Sequence, residues 1–378
     1  MKKIYLDYAS TTPLAPEALK TINFKKFGNT MSLHSFGQEA KVILEQSREK
    51  IAGVINSSPE EIVFTSSATE SNNTALKGIS FFKKSGHIII SKIEHPCVLE
   101  SAIWLKKKGF DVSFLEVDRY GMVNLKELER IIRGDTFLVS VIHASNEIGT
   151  IQPIEKIGKI CRKKGIYFHT DAAQSFGKIL IDVKKMDIDL LTASSHKIYG
   201  PKGAAFLYVR KGVEIEPLLH GGGQENGLRS STANVSLIAG FAKAAELCFE
   251  EMEEEEKRLS KLRDKVIKGV LKIKGVSLNG HPKERLPNNA NFSFSFIEGE
   301  SLAIQLDLKG IAVSTGSACS SAKLEPSHVL LATGLRHEEA HGSLRISLGR
   351  WTKEEEIDYL LKVLPGIVKQ LRQISPFR

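Results

Sequence analysis

A lysine stands at the end of an apolar run, where burial would oppose its charge. The stretch SSHKIYGPKG, residues 194–203, follows the apolar run DIDLLTA and leads into a second one, AAFLYVR. Lys197 therefore lies where two predicted strands meet. Desolvation of a buried ammonium favours the neutral amine, and the neutral amine is the form that makes a Schiff base. The sequence thus indicates an imine-forming lysine.

Polar residues also follow two other apolar runs. After EIVFTS, Thr69 lies near the first turn of a predicted helix, whose free N–H groups can hold a phosphate; an ordinary helix N-cap is the alternative interpretation. After IYFHT come Asp171 and Gln174. A carboxylate in that position would keep a cofactor's ring nitrogen protonated, or would serve only as a cap or turn residue. A phosphate cup, a pyridinium partner and an imine-forming lysine at one sheet edge are the requirements of pyridoxal phosphate.

The elements that must position these residues alternate along the chain between about residues 60 and 210. The predicted strands are EIVFTS, GHIIIS, FDVSFLEV, TFLVSVIHAS and IYFHTDAA, and the helices between them are HPCVLESAIWLKKKG, NLKELERII and PIEKIGKICRKKG. This alternation predicts an α/β fold with a mainly parallel sheet flanked by helices on both faces. Ligands bind such sheets at the carboxyl ends of the strands.

A second, smaller α+β domain is expected from residues 1–13 and 258–378, beside a large cofactor-binding domain over 14–257. The opening KIYLDYAS reads as a short strand that could pack with the smaller domain. ANFSFSF alternates like a half-buried strand, GESLAIQLDLKG has a helical pattern, and SLRISLG reads as a strand. In the TKEE that follows, Thr352 and Glu355 fit a capping box.

Composition limits the classes of function. At 378 residues and 42% apolar, the chain is longer than one core usually holds. The formal charge of +9 comes from dispersed lysines and arginines interleaved with acidic runs, so we expect solvated helix faces rather than direct nucleic-acid binding. No apolar run is long enough for a membrane span or a secretion signal, which indicates a cytoplasmic protein. Four cysteines without any CxxC pair favour a single reactive thiol over a disulfide framework or a metal site.

Several motifs, in order along nearly the whole chain, resemble those of group I cysteine desulfurases, which belong to the class V aminotransferase group of fold-type I pyridoxal-phosphate enzymes. They are TESNN near Thr69, EHP at His95, NEIG at Asn146, DAAQS at Asp171, SSHKIYGPKG at Lys197, LRSST at Thr232, STGSACSS at Cys319 and RISLGR at Arg345.

The resemblance implies a role for each matching residue around the cofactor. Thr69, Ser194 and His196 would hold the phosphate, and Thr232 would reach the phosphate site of the other subunit in a homodimer. The remaining contacts would come from Asp171 to the pyridinium nitrogen, from Gln174 to the phenolate oxygen, and from His95, which would stack on the ring and assist proton transfer.

The resemblance also implies the reaction. Asn146 and Arg345 would bind the carboxylate of L-cysteine, a natural match for a planar guanidinium. Lys197 would move the Cα proton, and Cys319 would take the sulfur as a persulfide, leaving L-alanine. The small residues around Cys319 are typical of a mobile loop. The sulfur would pass to an acceptor or iron–sulfur scaffold protein, for cluster assembly or tRNA thiolation.

The chain departs from the family pattern at a few positions. Ser67 replaces a glycine in the phosphate turn and is expected to tighten that turn without removing its donors. Ser145 stands where a second asparagine is common, and Cys97 adds a thiol near the site that either packs a helix or intercepts the persulfide. The segment after the last strand ends at Arg378, which suggests a shorter tail for docking scaffold proteins.

Two other readings stay open at this point. One is a related enzyme of the same fold, such as a selenocysteine lyase, another pyridoxal-phosphate lyase or an aminotransferase. The other is a non-catalytic scaffold or nucleic-acid-binding protein that retains the fold. Amino-donor dependence, sulfide release and a visible cofactor absorption band would separate them.

Overall fold

The structure is a computed structural model that describes residues 3–315 and 326–376. The strands are β1 Ile4–Tyr5, β2 Ile62–Thr65, β3 His87–Ser91, β4 Asp111–Leu115, β5 Thr136–Ser140, β6 Tyr167–Asp171, β7 Leu190–Ser194, β8 Ala205–Val209, β9 Val276–Asn279, β10 Asn289–Phe294, β11 Ile311–Ala312 and β12 Ser343–Ser347. The helices are α1 Pro16–Thr21, α2 Ser35–Val54, α3 Ala68–Lys83, α4 Pro96–Lys107, α5 Leu125–Ile131, α6 Ile154–Lys164, α7 Val235–Glu250, α8 Met252–Val270, α9 Gly299–Asp307, α10 His328–Ala332, α11 His337–His341 and α12 Glu354–Ile374.

The largest sheet in the described part of the chain has seven strands in the order β2-β8-β7-β6-β5-β3-β4. Strands β7, β6, β5, β3 and β4 run parallel to their neighbours, whereas β8 is antiparallel to both β7 and β2. The predicted mainly parallel α/β sheet is therefore confirmed. Its parallel strands end at one edge, where the residues singled out by the sequence lie.

Both faces of this sheet are buried. On β3, Ile88 and Ile90 pack into a core with residues of α3 and α4, while Ile89 between them packs into a second core with residues of α2, α6 and α7. All three isoleucines have no exposed surface. Strands buried on both sides explain why their sequences read as continuous apolar runs rather than alternating ones.

A third core lies apart from the central sheet. It contains Ile4 and Leu6, residues of α8, α9 and α12, and residues of the three-stranded antiparallel sheet β12-β10-β9. Strand β1 pairs in parallel with β11, so the N-terminal strand packs with the smaller unit as predicted. The boundaries 14–257 and 258–378 stay a prediction.

Two local predictions in the smaller unit were wrong. Strand β10 is buried along its whole length rather than on one face, because Phe292 and Phe294 fill the core while Asn291 and Ser293 bond to Asn279 on the other side. The capping box at Thr352 and Glu355 is also absent. Helix α12 begins one residue later, and Thr352 Oγ1 instead accepts from the backbone N–H of Gly349 at 2.9 Å.

The N-terminus of α12 is capped by a side chain of the helix itself. Glu356 accepts from the backbone N–H of Lys353 at 3.0 Å, which places the acidic partner one residue beyond the predicted one. Among the described helices, none is both long and apolar enough to cross a lipid bilayer.

Candidate active site

A cavity of about 340 Å³ opens at the carboxyl ends of the parallel strands. It is lined by most of the residues that the sequence singled out, which arrive from the ends of different elements: Thr69, His95, Asn146, Asp171, Gln174, Ser194, His196, Lys197 and Arg345. Its volume lies within the range of small-molecule sites, roughly 300–1,000 Å³.

Thr232, one of the predicted site residues, is not part of this cavity lining. It is exposed and borders a separate hollow of about 150 Å³ beside Phe64 and Arg229. Cys319 lies outside the described residues. The roles assigned to both residues therefore stay predictions.

Lys197 ends a short 3₁₀ turn, Ser195–Lys197, that follows β7 directly. Its Nζ donates to the carbonyl oxygens of Ala9 and Ser10, each at 2.7 Å. The turn closes tightly because residue 200 is glycine: a Cβ there would lie 2.1 Å from Ser195 Oγ. The lysine amine is therefore aimed into the cavity by the turn and held by the N-terminal segment.

Asp171 ends β6, and both of its carboxylate oxygens are bonded. Oδ1 accepts from the backbone N–H of Ala173 at 2.8 Å, and Oδ2 accepts from Asn72 Nδ2 at 2.7 Å. Asn72 is fully buried on α3, and its Oδ1 has no partner among the described residues. These two donors fix the plane of the carboxylate.

His95 caps the N-terminus of α4 and contacts the additional thiol. Its Nδ1 lies 3.2 Å from the backbone nitrogen of Cys97 and 3.0 Å from Cys97 Sγ. Burial lowers the pKa of His95, with Lys197 adding to that effect and Asp171 opposing it, so a neutral imidazole is favoured. Burial raises the pKa of the Cys97 thiol to about 12, and the Asp171 charge acts in the same direction.

The part of the cavity that is predicted to bind the phosphate, called the phosphate end below, is formed by the N-terminus of α3 and the turn after β7. Ser67, Ala68 and Thr69 line the cavity there. Ser67 is the N-cap of α3, and its hydroxyl accepts from the backbone N–H of Glu70 at 3.2 Å. Because Ser67 has a side-chain oxygen where glycine has none, it engages one of the N–H donors of this turn, that of Glu70.

His196 contributes to this end as a neutral group. Its Nδ1 lies 3.1 Å from Thr11 Oγ1. Burial and the nearby charges of Lys197, Lys202 and Lys178 lower the pKa of His196 to about 4. At neutral pH the imidazole can therefore offer a single N–H to an anion.

Arg345 projects from β12, which brings the smaller unit to the cavity. Its Nη1 donates to the backbone oxygen of Asn146 at 3.0 Å, and its Nη2 donates to Asp7 Oδ1 at 2.9 Å and to Ser10 Oγ at 2.8 Å. Only 3% of Arg345 is exposed, and its Nε has no partner among the described residues. The guanidinium is thus already fixed before any substrate binds.

Sequence reasoning missed several residues that hold the site. Gln174 Nε2 donates to the carbonyl oxygen of Ala9 at 2.9 Å, so Ala9 bonds to both Gln174 and Lys197. No pattern could have indicated this, because every residue carries a carbonyl oxygen. Asn72 was within reach of sequence analysis, since it lies one helical turn after Thr69 in TESNN.

Two buried carboxyl groups were also missed, and one of them, Glu147, lines the cavity. Glu94 Oε1 accepts from Ser91 Oγ and the backbone N–H of Ile142, both at 2.6 Å, and burial raises the pKa of Glu94 to about 8. Glu147 accepts from Ser327 Oγ at 2.5 Å, and burial raises its pKa to about 7.

The donor set of the cavity fits pyridoxal phosphate. Lys197 supplies the amine, the bonded carboxylate of Asp171 suits a protonated ring nitrogen, and the N-terminus of α3 with Ser194 and His196 suits a dianionic phosphate. These groups surround one cavity at the sheet edge where such ligands bind.

Comparisons with known proteins agree with this geometry. The family model for class-V aminotransferases matches residues 4–360. The cysteine desulfurase IscS of Dictyoglomus turgidum is 51% identical over 383 aligned positions, which cover 100% of this chain and 97% of that protein.

Two solved structures have the same fold. A NifS-like protein superposes with a TM-score of 0.92 at 42% identity, covering 98% of this chain and 100% of its own. The structure of SspA in complex with cysteine gives a TM-score of 0.81 at 39% identity, covering 91% of this chain and 98% of its own. The chain therefore belongs to the class-V aminotransferase family of pyridoxal-phosphate enzymes, and within it to the group I cysteine desulfurases.

Proposed function

We propose that the chain converts L-cysteine to L-alanine and transfers the sulfur atom to Cys319 as a persulfide. The observation that carries the proposal is one cavity lined by an amine, a fixed carboxylate, a neutral imidazole and a buried guanidinium, from Lys197, Asp171, His95 and Arg345. The relatives named cysteine desulfurase and the cysteine bound to SspA support this substrate.

Pyridoxal phosphate, when bound, supplies an electron sink for the carbanion formed next to the substrate's amino group. Thr69, Ser194 and His196 would hold its phosphate, Asp171 would pair with the ring nitrogen, and Gln174 would bond the ring oxygen. His95 would contact the ring. Lys197 would bond the cofactor through Nζ.

The chain's own residues then bind the substrate and move protons. Arg345 and Asn146 hold the substrate carboxylate, which fixes the Cα–H bond relative to Lys197. Once the substrate's amine has displaced Lys197 from the cofactor, the freed Nζ removes the Cα proton, a role that requires the neutral amine. His95, kept neutral by burial, assists proton transfer.

Cys319 carries out the second half of the reaction. Its thiolate attacks the substrate sulfur, so that an S–S bond forms while the bond between that sulfur and Cβ breaks, and the electron pair of the broken bond stays with the carbon part. Protonation of the carbon part gives L-alanine. Cys97 is the weaker nucleophile, because burial raises its pKa to about 12 and leaves it a thiol at neutral pH.

The active species in this proposal is a homodimer in which Thr232 reaches the phosphate site of the other subunit. An N-terminal apolar patch supports it, namely Leu19, Phe24, Phe27, Met31, Leu33 and Phe36, of which Leu33 is 93% and Phe27 75% exposed. Exposed apolar side chains that follow one another so closely along the chain are expected of an interaction surface.

The destination of the sulfur and the location of the enzyme complete the proposal. An acceptor or iron–sulfur scaffold protein receives the persulfide sulfur, a role supported by the IscS name of the relatives. A cytoplasmic location is supported by Cys97, Cys161 and Cys248, which are free thiols. A large domain over 14–257 binds the cofactor, and residues 1–13 with 258–378 form a small domain that carries Cys319.

The proposal is tested by mixing the cofactor-loaded protein with L-cysteine and a thiol reductant, without any amino acceptor. We expect L-alanine and sulfide in equal amounts over many turnovers. Alanine that forms only when a keto acid is added would identify an aminotransferase. Turnover of L-selenocysteine without turnover of L-cysteine would identify a selenocysteine lyase, and a protein without a visible cofactor band would favour a scaffold.

A further inference from the structure

The N-terminal segment 7–12 contacts the site residues from several elements at once. Besides the bonds to Lys197 and Gln174, Thr12 Oγ1 donates to the backbone oxygen of His196 at 3.0 Å. The segment is itself anchored, since the backbone N–H of Ala9 donates to Ser347 Oγ at 2.9 Å. This short stretch therefore joins the strand end that carries the lysine to the strand that carries Arg345.

Ser10 contacts both chemically important side chains. Its hydroxyl accepts from Arg345 Nη2 at 2.8 Å, and its backbone oxygen accepts from Lys197 Nζ at 2.7 Å. Ser10 lines the cavity, as do both of those side chains. A substrate that bonds to Lys197's cofactor through its amine and to Arg345 through its carboxylate must span these same two groups.

The hydrogen bonds of Arg345 within the protein determine which of its N–H donors are left for a substrate carboxylate. Nη2 carries two N–H donors, and Asp7 and Ser10 supply an acceptor for each. Nη1 donates once, to the backbone oxygen of Asn146. The plane of the guanidinium is therefore set from both sides, and Nε has no partner among the described residues although it is buried.

We infer that Ser10 and Asp7 are positioning residues for the carboxylate end of the substrate: they hold the plane of Arg345 in the orientation that receives the carboxylate of an amino acid whose amine is at Lys197. The inference deepens the proposed function and rests on it. Asp7 contributes as a counter-ion, because the pair of Arg345 with a single carboxylate keeps a nearly fully buried cation neutralised. Ser10 contributes the second acceptor and fixes the distance to the lysine.

The test compares two ligands that differ only in the group that Arg345 would recognise. L-Alanine carries the amine and the carboxylate, whereas L-alaninamide carries the same amine and a neutral amide. Their binding to the cofactor-loaded protein is measured from the shift of the visible absorption band. For Ser10→Ala we expect about tenfold weaker binding of L-alanine, the loss of one hydrogen bond that orients a charged group, and unchanged binding of L-alaninamide.

Three further variants keep the test decisive. Ser10→Thr retains the hydroxyl and is expected to restore L-alanine binding to within about twofold of the unsubstituted protein. Asp7→Ala removes the other acceptor of Nη2 and is also expected to weaken the binding of L-alanine but not that of L-alaninamide. Ser301→Ala, on α9 outside the cavity lining, should leave the binding of both ligands unchanged.

A general structural role would give a different pattern. If Ser10→Ala weakens the binding of both ligands equally, lowers the affinity for the cofactor, or leaves the binding of both ligands unchanged, the inference is wrong. The readout is carboxylate binding and not sulfur release, so failure of the inference and failure of the proposed function can be told apart: a protein that releases no sulfide from L-cysteine would refute the desulfurase proposal, whereas the ligand comparison would still report on Ser10.

Discussion

The amine of Lys197 is held by two carbonyl oxygens at the point where β7 ends, and the predicted chemistry begins at this atom. We expect Lys197→Ala to abolish turnover, because no other lysine among the described residues lines the cavity, where an amine could bond the cofactor and remove the Cα proton. Cofactor should still bind noncovalently through the phosphate end. Borohydride reduction followed by peptide mapping measures this directly: the unsubstituted protein should carry the cofactor on Lys197, and attachment to Lys202 would contradict the assignment.

Glu94 makes stability depend on pH. An unfolded glutamate has a pKa of about 4.3, while burial raises the folded-state pKa of Glu94 to about 8. Between these values the folded state keeps a proton that the unfolded state has lost, so stability falls as pH rises. The slope is at most about 1.4 kcal/mol per pH unit, and it vanishes above both pKa values.

Glu94→Gln removes this titration while keeping an acceptor for Ser91 and Ile142. We expect the free energy of unfolding to decrease less between pH 5 and pH 8 than in the unsubstituted protein, as measured by urea unfolding at each pH. Glu116→Gln, at a carboxylate that is 51% exposed, is the control and should leave the pH profile unchanged. Parallel profiles for Glu94→Gln and the unsubstituted protein would show that Glu94 ionises normally.

The first turn of helix α3 must be stable and must also present N–H donors to a phosphate. Ser67 stabilises this turn, because its hydroxyl accepts from the backbone N–H of Glu70. We expect Ser67→Ala to lower the free energy of unfolding by about 1 kcal/mol, and Ser67→Gly by only a few tenths. Both variants free the Glu70 N–H, so cofactor affinity should stay equal or increase. A loss of affinity in Ser67→Gly would mean that the hydroxyl itself binds the phosphate.

At the scale of elements, apolar pattern and position predicted most of the architecture. The strands β2 to β8 and the helices between them were readable because each is a continuous apolar run or a helical period, bounded by polar residues. The half-buried assignment of β10 failed because alternation shows which residues are apolar, not whether another element covers the polar ones. The capping box failed by one residue, because both Thr352 and Glu356 have local partners that the sequence offers equally well.

The part of the site that consists of reactive side chains was predictable from the sequence. Lys197, Asp171 and Arg345 all line the same cavity. The carbonyl oxygens of Ala9 and Ser10 that hold Lys197 were not predictable, because backbone groups leave no signature in a sequence. The fixed plane of Arg345 depends on β12 meeting the N-terminal segment, a long-range contact that becomes visible only in the fold.

At the scale of the whole molecule, the prediction of a homodimer rests on the N-terminal apolar patch. Leu33→Glu together with Phe24→Glu places charges on side chains that are 93% and 71% exposed, so little packing within the subunit is lost. We expect the variant to sediment as a monomer and to bind the cofactor more weakly, because Thr232 of the other subunit is then missing. Ile304→Glu, which is 61% exposed on α9, is the matched control and should remain dimeric. Active, cofactor-saturated monomers would contradict the shared site.

The desulfurase assignment depends most on one atom, the sulfur of Cys319. Mass spectrometry of peptides from protein treated with L-cysteine, without reductant, should find one extra sulfur atom on the peptide that contains Cys319. Cys319→Ser should still bind the cofactor and react with L-cysteine, but release almost no sulfide or alanine, because a hydroxyl ionises far less readily than a thiol with a pKa of about 8.5.

Cys97→Ala is the control in that measurement, since Cys97 is the thiol that the described residues place in the cavity lining. We expect Cys97→Ala to retain both the persulfide on Cys319 and the release of alanine. If instead Cys319→Ser keeps most of its alanine output while Cys97→Ala loses it, the sulfur passes through Cys97. If both variants stay active and neither peptide carries extra sulfur, the sulfur leaves by direct elimination and the protein is a lyase.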